Sequence, residues 1–415
     1  MIFYSVNPAT EENIFEHATS SLKDVNDAVT SGLDFSKTWR STSYENREKI
    51  VLRFKRLVES QKDDLATCIS IETGKPLWES HQEVSAMIAK VDISIESFQK
   101  RCKQLSFESK NTIYELGYKP IGVLAVLGPF NFPLHLPHGH IIPALLSGNC
   151  IVFKPSEYTT EVAKKIILIW QQAELPEKAL QLVFGKGDIG EKLYQHPLIK
   201  GVLFTGGYHT GKKISTYLGA FPEKLLALEL GGNNPLVISQ DHYTDDVFNA
   251  IIHSAFLTAG QRCTGASRLI VVDCSNKLLF EEALMKRVLS LTVGAFTDNE
   301  EPFMGPVIHK QSYDFIYDMY LSFIEQKGRV VAPMSKENRP GFFLRPGIVD
   351  VTGIRSIPDQ ECFGPLLQLI YVDDLSEAIK VANNTRYGLS ASLISPRKDD
   401  FDYFYSEINA GIINF

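Results

Sequence analysis

The chain has 415 residues, of which 44% are hydrophobic and 22% charged, with a formal net charge of −7. This length is large for one hydrophobic core, so two domains are expected. The acidic, interspersed charge argues against a nucleic-acid binder and against a charged disordered tail. No stretch approaches the roughly 18 apolar residues of a spanning helix, and Met1-Ile2-Phe3-Tyr4 lacks the charged and apolar regions of a leader peptide. The six cysteines (68, 102, 150, 263, 274 and 362) show no paired spacing, which reads as reduced thiols in a cytoplasm.

Between Ser43 and Cys68, residues Ile50, Phe54, Leu57 and Leu65 recur at helical spacing, and Thr73-Gly74-Lys75-Pro76 closes the run. Leu77 to Lys103 reads as a second, more polar helix. From Ile121 the pattern changes to short apolar strands alternating with helices. The expected order is strand Ile121 to Leu127, strand Cys150 to Phe153, helix Glu161 to Ala173, extended Leu180 to Phe184, and strand Gly201 to Phe204. A second such block begins after Gly232, with strand Leu236 to Ile238, helix Asp245 to Ala259 and strand Leu269 to Val272. Val330 to Pro346 reads as loop with an edge strand. Alternation at this rhythm predicts an α/β fold with parallel sheets.

Three segments carry chemistry. Cys263 lies in Ala259-Gly260-Gln261-Arg262-Cys263-Thr264, after Glu229 in Leu228-Glu229-Leu230-Gly231-Gly232-Asn233-Asn234-Pro235. Asn131 stands between two aromatics in Gly128-Pro129-Phe130-Asn131-Phe132-Pro133. Together they read as covalent catalysis on a carbonyl. Cys263 supplies a thiolate, Asn131 and the backbone N–H of Cys263 hold the oxyanion, and Glu229 activates water. Each has a plainer reading: a buried cysteine, an Asx turn before Pro133, and a strand-end carboxylate bound by backbone amides. The apolar flanks of Glu229 suggest partial burial. An unperturbed thiol, with a pKa of about 8.5, is only slightly ionised at neutral pH. His135, His138 and His140 do not share one helical face, and no carboxylate cluster accompanies them, so no metal is expected. Arg262 and Arg268 are candidate contacts for an anionic substrate, with a structural ion pair as the alternative. Gly185-Lys186-Gly187-Asp188-Ile189-Gly190 spells GxGxxG but lacks the later acidic partner.

With Lys154-Pro155-Ser156-Glu157, Phe204-Thr205-Gly206-Gly207 and Glu361-Cys362-Phe363-Gly364-Pro365, these segments resemble the aldehyde dehydrogenase superfamily from Asn7-Pro8-Ala9-Thr10 to the last residue. The run Asn131 to Leu146 and Glu229 to Pro235 are similar to one branch, the N-succinylglutamate 5-semialdehyde dehydrogenases of arginine degradation. The resemblance implies a Rossmann-like NAD-binding domain over residues 1–101 and 121–231. It also implies an oligomerisation arm over 102–120 and an α/β catalytic domain over 232–415, with the site between the domains. It implies NAD as cofactor, with Lys154 and Glu157 at the adenine ribose and Glu157 repelling the 2′-phosphate of NADP. Gly206 and Gly207, before a helix from Thr210 to Leu218, would face the pyrophosphate. Gly207 stands where the family has serine, so a hydroxyl donor is lost and a backbone N–H kept. Glu361 and Phe363 would hold the nicotinamide ribose and ring.

The reaction so implied is NAD-dependent oxidation of N-succinyl-L-glutamate 5-semialdehyde to N-succinyl-L-glutamate through a cysteine thiohemiacetal and thioester. The alternatives are another anionic semialdehyde, acyl transfer to coenzyme A, or an impaired nucleotide-binding paralogue. Family members continue past Ala410-Gly411-Ile412-Ile413-Asn414-Phe415 into a Pro-Phe-Gly-Gly-like turn and a last oligomerisation strand. The expected assembly is therefore a homo-oligomer no larger than a dimer, with reduced activity, in the cytoplasm.

Overall fold

The computed structural model describes residues 2–239 and 243–415. These form two compact units. The first comprises Met1–Asn7, Glu12–Thr73 and Leu77–Glu229, and the second Pro8–Glu11, Gly74–Pro76 and Leu230–Phe415.

The first unit is built on a five-stranded sheet in the order Leu180–Leu182, Cys150–Lys154, Val123–Leu127, Gly201–Gly206, Leu225–Leu230. The first three pairings in this order are parallel. Val123–Leu127 and Cys150–Lys154 are buried along their whole length, as expected of apolar runs without alternation. Helices Leu22–Ser41 and His135–Leu146 pack on this sheet. The first of them opens with a capping box, in which Ser21 accepts from Asp24 N–H and Asp24 accepts from Ser21 N–H. The helix expected from Ser43 to Cys68 is two helices, Tyr44–Ser60 and Lys62–Thr73. The chain breaks at Gln61, whose N–H turns back to Leu57 O and Val58 O. The next helix, Leu77–Arg101, ends two residues before the expected Lys103. Beyond it, Leu105–Ser109 and Thr112–Leu116 form an antiparallel hairpin. Its turn residues Lys110 and Asn111 both have positive φ (47° and 62°), as a two-residue turn matched to strand twist requires. Every residue of both strands is exposed.

Under the helices Tyr44–Ser60, His135–Leu146 and Thr160–Gln172 lies an aromatic stack. The Phe54 ring centroid is 3.5 Å from Trp170 and 5.5 Å from His138, nearly parallel to each. Trp170 Nε1–H donates to His138 Nε2 at 3.1 Å, and His138 Nδ1 faces Leu134 O at 2.7 Å. An indole N–H can only donate and a carbonyl can only accept, so His138 is the neutral Nδ1–H tautomer. Burial pushes its pKa down to about 4. His138 is thus fully engaged in the core.

The second unit holds a seven-stranded sheet in the order Arg329–Ala332, Gly347–Asp350, Leu366–Val372, Ala266–Val272, Asn234–Ile238, Ser390–Ile394, Ile412–Asn414. All pairings are parallel except that of the edge strand Arg329–Ala332 with Gly347–Asp350. That strand is the edge strand expected in the Val330 to Pro346 stretch, which also contains the short Ser335–Lys336/Leu344–Arg345 ladder. Leu236, Ile238, Leu269, Val271, Leu367 and Leu369 form part of one buried cluster with Phe256 and Phe323. The opposite side chains Val237, Ile270 and Leu393 pack with Ala378, Ile379 and Phe404 in a second cluster. Helices therefore cover both faces of this sheet.

The neutral, buried His138 makes stability depend on pH in a defined sense. The unfolded imidazole gains a proton near 6.5 and the folded one near 4, so stability present above 6.5 is lost as pH falls through this window. His138→Phe leaves Trp170 Nε1–H without its acceptor and should cost about 1–3 kcal/mol at pH 7. Its urea midpoint should nevertheless fall less steeply than that of the unsubstituted protein between pH 6.5 and 4. Parallel midpoint-against-pH curves would contradict this account of His138.

Candidate active site

In the first unit the chain crosses from Val123–Leu127 to Cys150–Lys154 and Leu180–Leu182, then returns to place Gly201–Gly206 on the other side of Val123–Leu127. Such a reversal opens a crevice at the carboxyl ends of the strands. Asn131, Lys154, Glu157, Gly206 and Gly207 all lie at or just beyond those ends. Gly128 starts the loop with its N–H on Lys154 O at 3.0 Å. A Cβ at Gly128 would stand 2.9 Å from both Phe153 and Pro137, so only glycine fits there. Asn131 follows, 4% exposed. Glu83 secures the next turn: its Oε1 accepts from Leu134 N–H at 2.8 Å and His135 N–H at 3.2 Å. Nothing in the polar Leu77–Arg101 helix pattern marks Glu83 for this, because its partners lie some 50 residues away.

Lys154 is buried, donates to Pro155 O at 2.8 Å, and lies 3.7 Å from Glu157 Oε2. Burial pushes its pKa down, against the attraction of Glu157. Gly206 ends its strand, and a Cβ there would meet the Phe204 ring at 2.5 Å. Gly207 is the N-cap of the Tyr208–Leu218 helix, which begins two residues before the expected Thr210. Its φ of −70° is ordinary, and a Cβ there would have no atom within 4 Å. A serine would fit, so sterics do not enforce the glycine. In the GxGxxG stretch, Gly185 has φ 149° and a Cβ there would meet Ile189 at 2.4 Å, so this glycine serves packing. His140 Nε2 lies 3.1 Å from Thr205 Oγ1. Glu229 is exposed, contrary to the partial burial expected from its leucine flanks. It lies on the strand at the edge of the sheet, where alternate side chains face water.

In the second unit the helix expected to reach Ala259 ends at Phe256. Thr258, Ala259 and Gly260 then take left-handed φ values of 58°, 53° and 70°. Such backbone costs roughly 1–3 kcal/mol per non-glycine residue and persists only when surroundings dictate it. They do here. A Cβ at Gly260 would lie 2.2 Å from Gly364 O, so the backbones of the Cys263 and Phe363 loops are in direct contact. Buried Gln261 holds the bend, donating to Thr258 O at 3.2 Å and accepting Ile308 N–H at 3.0 Å. Half-buried Cys263 follows in a reverse turn closed by Gly265 N–H on Arg262 O at 3.0 Å. All six cysteines are thiols.

Glu361 accepts Gly232 N–H at 3.0 Å, and its carboxylate fills the space a Cβ on Gly231 would need, 1.9 Å away. Burial pushes Glu361 up to about 7, against the lowering effect of Gly232 N–H. Phe363, two residues on, has φ 50°. Asp359 anchors this loop by accepting from Asn233 Nδ2 at 3.1 Å, Thr385 Oγ1 at 2.6 Å and Arg386 N–H at 2.8 Å. Burial opposes its ionisation, but hydrogen bonds from Arg386, Thr385 and Asn233 bring its pKa to about 2. Arg268 is not available as a substrate contact. Its buried guanidinium donates to Asn233 O, Val381 O and Ala382 O at 2.8–3.0 Å, capping the end of the Leu375–Asn383 helix. Arg262 Nε donates to Thr258 Oγ1 at 2.8 Å.

The raised pKa of Glu361 also fixes a sign. Its folded value, about 7, exceeds the ordinary 4.5, so stability present below 4.5 is lost as pH rises through 7. Glu361→Gln lacks this titration. The stability of the unsubstituted protein relative to Glu361→Gln should therefore fall between pH 4.5 and 7.5 in denaturant titrations. A difference that stays constant or widens would contradict the assignment.

The aldehyde dehydrogenase family model matches residues 2–415. The chain is 41% identical over 413 residues to the N-succinylglutamate 5-semialdehyde dehydrogenase of Serratia proteamaculans, covering 100% of this chain and 84% of that protein. It is 42% identical over 417 residues to the enzyme of the same name from Novosphingobium aromaticivorans, covering 99% and 87%. Among solved structures it is similar to betaine aldehyde dehydrogenase of Staphylococcus aureus in complex with NAD+. There the TM-score is 0.93 at 26% identity, over 100% of this chain and 83% of that one. It is also similar to aldehyde dehydrogenase C of Pseudomonas syringae in complex with NAD+ and octanal. There the TM-score is 0.92 at 27% identity, over 100% and 85%. With a family match along its length and relatives at this identity, the chain belongs to the aldehyde dehydrogenase family.

Proposed function

We propose that the chain oxidises N-succinyl-L-glutamate 5-semialdehyde to N-succinyl-L-glutamate in arginine degradation, with NAD as cofactor. The observation that carries this reading is the 41% identity, sustained along the whole chain, with a relative of that name. The first unit is read as the cofactor domain and the second as the catalytic domain.

The residues present fit NAD. The amino end of the Tyr208–Leu218 helix, behind Gly207, offers backbone N–H groups and open space suited to a pyrophosphate. Lys154 and Glu157 suit the hydroxyls of the adenine ribose, and the Glu157 charge disfavours a 2′-phosphate. Glu361 and Phe363 are assigned to the nicotinamide ribose and ring. When bound, NAD takes the hydrogen of the aldehyde carbon as hydride.

The chain's own residues supply the rest. Cys263 Sγ bonds the aldehyde carbon, and N–H groups of Asn131 and of the Cys263 backbone stabilise the oxyanion. Burial of Asn131 strengthens that contribution, because donors in a water-excluded setting act through a lower dielectric. The thioester left by oxidation is hydrolysed by water whose proton Glu229 takes, releasing the carboxylate product and the Cys263 thiolate. The exposure of Glu229 gives water access to it and favours hydrolysis over transfer to coenzyme A. The Leu105–Leu116 hairpin, with exposed Leu105, Phe107, Ile113 and Leu116, is read as the arm through which copies of the chain dimerise. A cytoplasmic setting suits the six thiols.

The purified protein should form NADH with N-succinylglutamate 5-semialdehyde at a higher kcat/KM than with other semialdehydes, and should release free acid even when coenzyme A is present. No NADH, or an acyl-coenzyme A product, would overturn the reading. Glu229→Gln should keep a burst of about one NADH per site followed by slow turnover. Loss of the burst itself would assign Glu229 to an earlier step.

A further inference from the structure

Cys263 is second in the Arg262–Gly265 reverse turn, and Asn234 closes on that turn from the adjacent strand end. Asn234 is 3% exposed. Its Nδ2 donates to Cys263 O at 2.7 Å and to Gly265 O at 2.9 Å, while its Oδ1 accepts Ser390 N–H at 3.2 Å. Carbonyls only accept and a backbone N–H only donates, so one orientation of the carboxamide satisfies all three. Ser390 Oγ–H donates to Thr264 O, between them, at 3.3 Å. Three successive carbonyls of the cysteine turn are therefore held by two side chains.

This arrangement constrains directions. In a trans peptide the C=O and the following N–H point opposite ways. Holding Cys263 O fixes the Thr264 N–H, and the Gly265 N–H bond to Arg262 O fixes the N–H of Cys263. Once both peptides flanking Cys263 are set, so is its Cα–Cβ bond, and the range open to Sγ follows. Gly232 completes the device. A Cβ there would lie 2.3 Å from Asn234 Oδ1, so the glycine makes room for the carboxamide. Asp cannot donate to both carbonyls when ionised, and Ser is too short and carries one hydrogen.

We infer that Asn234 is a positioning residue for the reaction, clamping the Cys263 turn so that Sγ and the Cys263 N–H are aimed together. The inference rests on the reading of Cys263 as nucleophile. In Asn234→Ala the rate constant of the NADH burst should fall about 100-fold, the loss that a misplacement of about 1 Å produces. The Kd for NAD should stay within about twofold, because the hydrogen bonds of the Asn234 side chain go to the cysteine turn and Ser390 and to none of the residues assigned to NAD. Asn234→Asp is nearly isosteric and supplies a signature that loss of packing alone does not. Facing two carbonyls in a buried site, its carboxyl resists ionisation, and protonation restores one donor. The ratio of its burst rate to that of the unsubstituted protein should therefore rise as pH is lowered from 8 to 6.

A burst in Asn234→Ala within threefold of the unsubstituted protein, a burst lost together with NAD binding, or a flat Asn234→Asp ratio overturns the inference. Should Asn234→Ala fail to fold, the Asn234→Asp profile decides. Cys263→Ala separates the two layers of the reading. Turnover that survives in it removes the nucleophile assignment. Turnover lost in Cys263→Ala beside a normal burst in Asn234→Ala removes only the clamp.

Discussion

The contact of Gly260 with the Gly364 carbonyl governs the geometry of the second unit's reactive loop. It requires a residue without a side chain and a backbone in the left-handed region, and it draws Thr258 and Ala259 into that region with it. The helix from Asp245 must then stop at Phe256, so Cys263 sits on a short loop instead of on a helix flank. Gln261 and Asn234 hold that loop through backbone groups at both of its ends. The strain in two non-glycine residues is thus offset by buried hydrogen bonds that exist only in the bent conformation.

A related economy of shape operates around Glu361. Gly231 and Gly232 leave space on both sides of one short turn, the first for the Glu361 carboxylate and the second for the Asn234 carboxamide. One glycine pair thereby supports two functions of the proposed mechanism, the ribose contact and the aim of the nucleophile. In the first unit the same principle works through topology. Parallel strands that diverge at Val123–Leu127 collect Asn131, Lys154, Glu157 and Gly207 at their carboxyl ends, although 76 positions separate the first of these from the last.

Much of this was legible in the sequence, for local reasons. The runs 123–127, 150–153, 201–204 and 269–272 are uninterrupted by polar side chains, which a sheet covered on both faces accommodates. Cys263, Glu229 and Asn131 stood out because their flanking glycines and prolines are residues that ordinary strands and helices avoid. Other features depend on partners far along the chain. Gln61 interrupts a helix whose apolar spacing runs on without a break. Glu229 carries leucine neighbours suited to burial, yet its place on an edge strand exposes it. Arg268 has the charge of a substrate contact, and only the fold reveals three carbonyls converging on it. Asn234 carries no local mark of its role, because its acceptors and donor come from Cys263, Gly265 and Ser390, the last 156 positions away.

The central claim is that Cys263 becomes covalently acylated during turnover. Glu229→Gln, incubated with NAD and N-succinylglutamate 5-semialdehyde and digested under acid, should yield one modified peptide in the mass spectrum. It should contain Cys263 and carry the mass of the succinylglutamyl group. An adduct on Cys274 or another thiol, or continued NADH production with no adduct on any cysteine, would contradict the account.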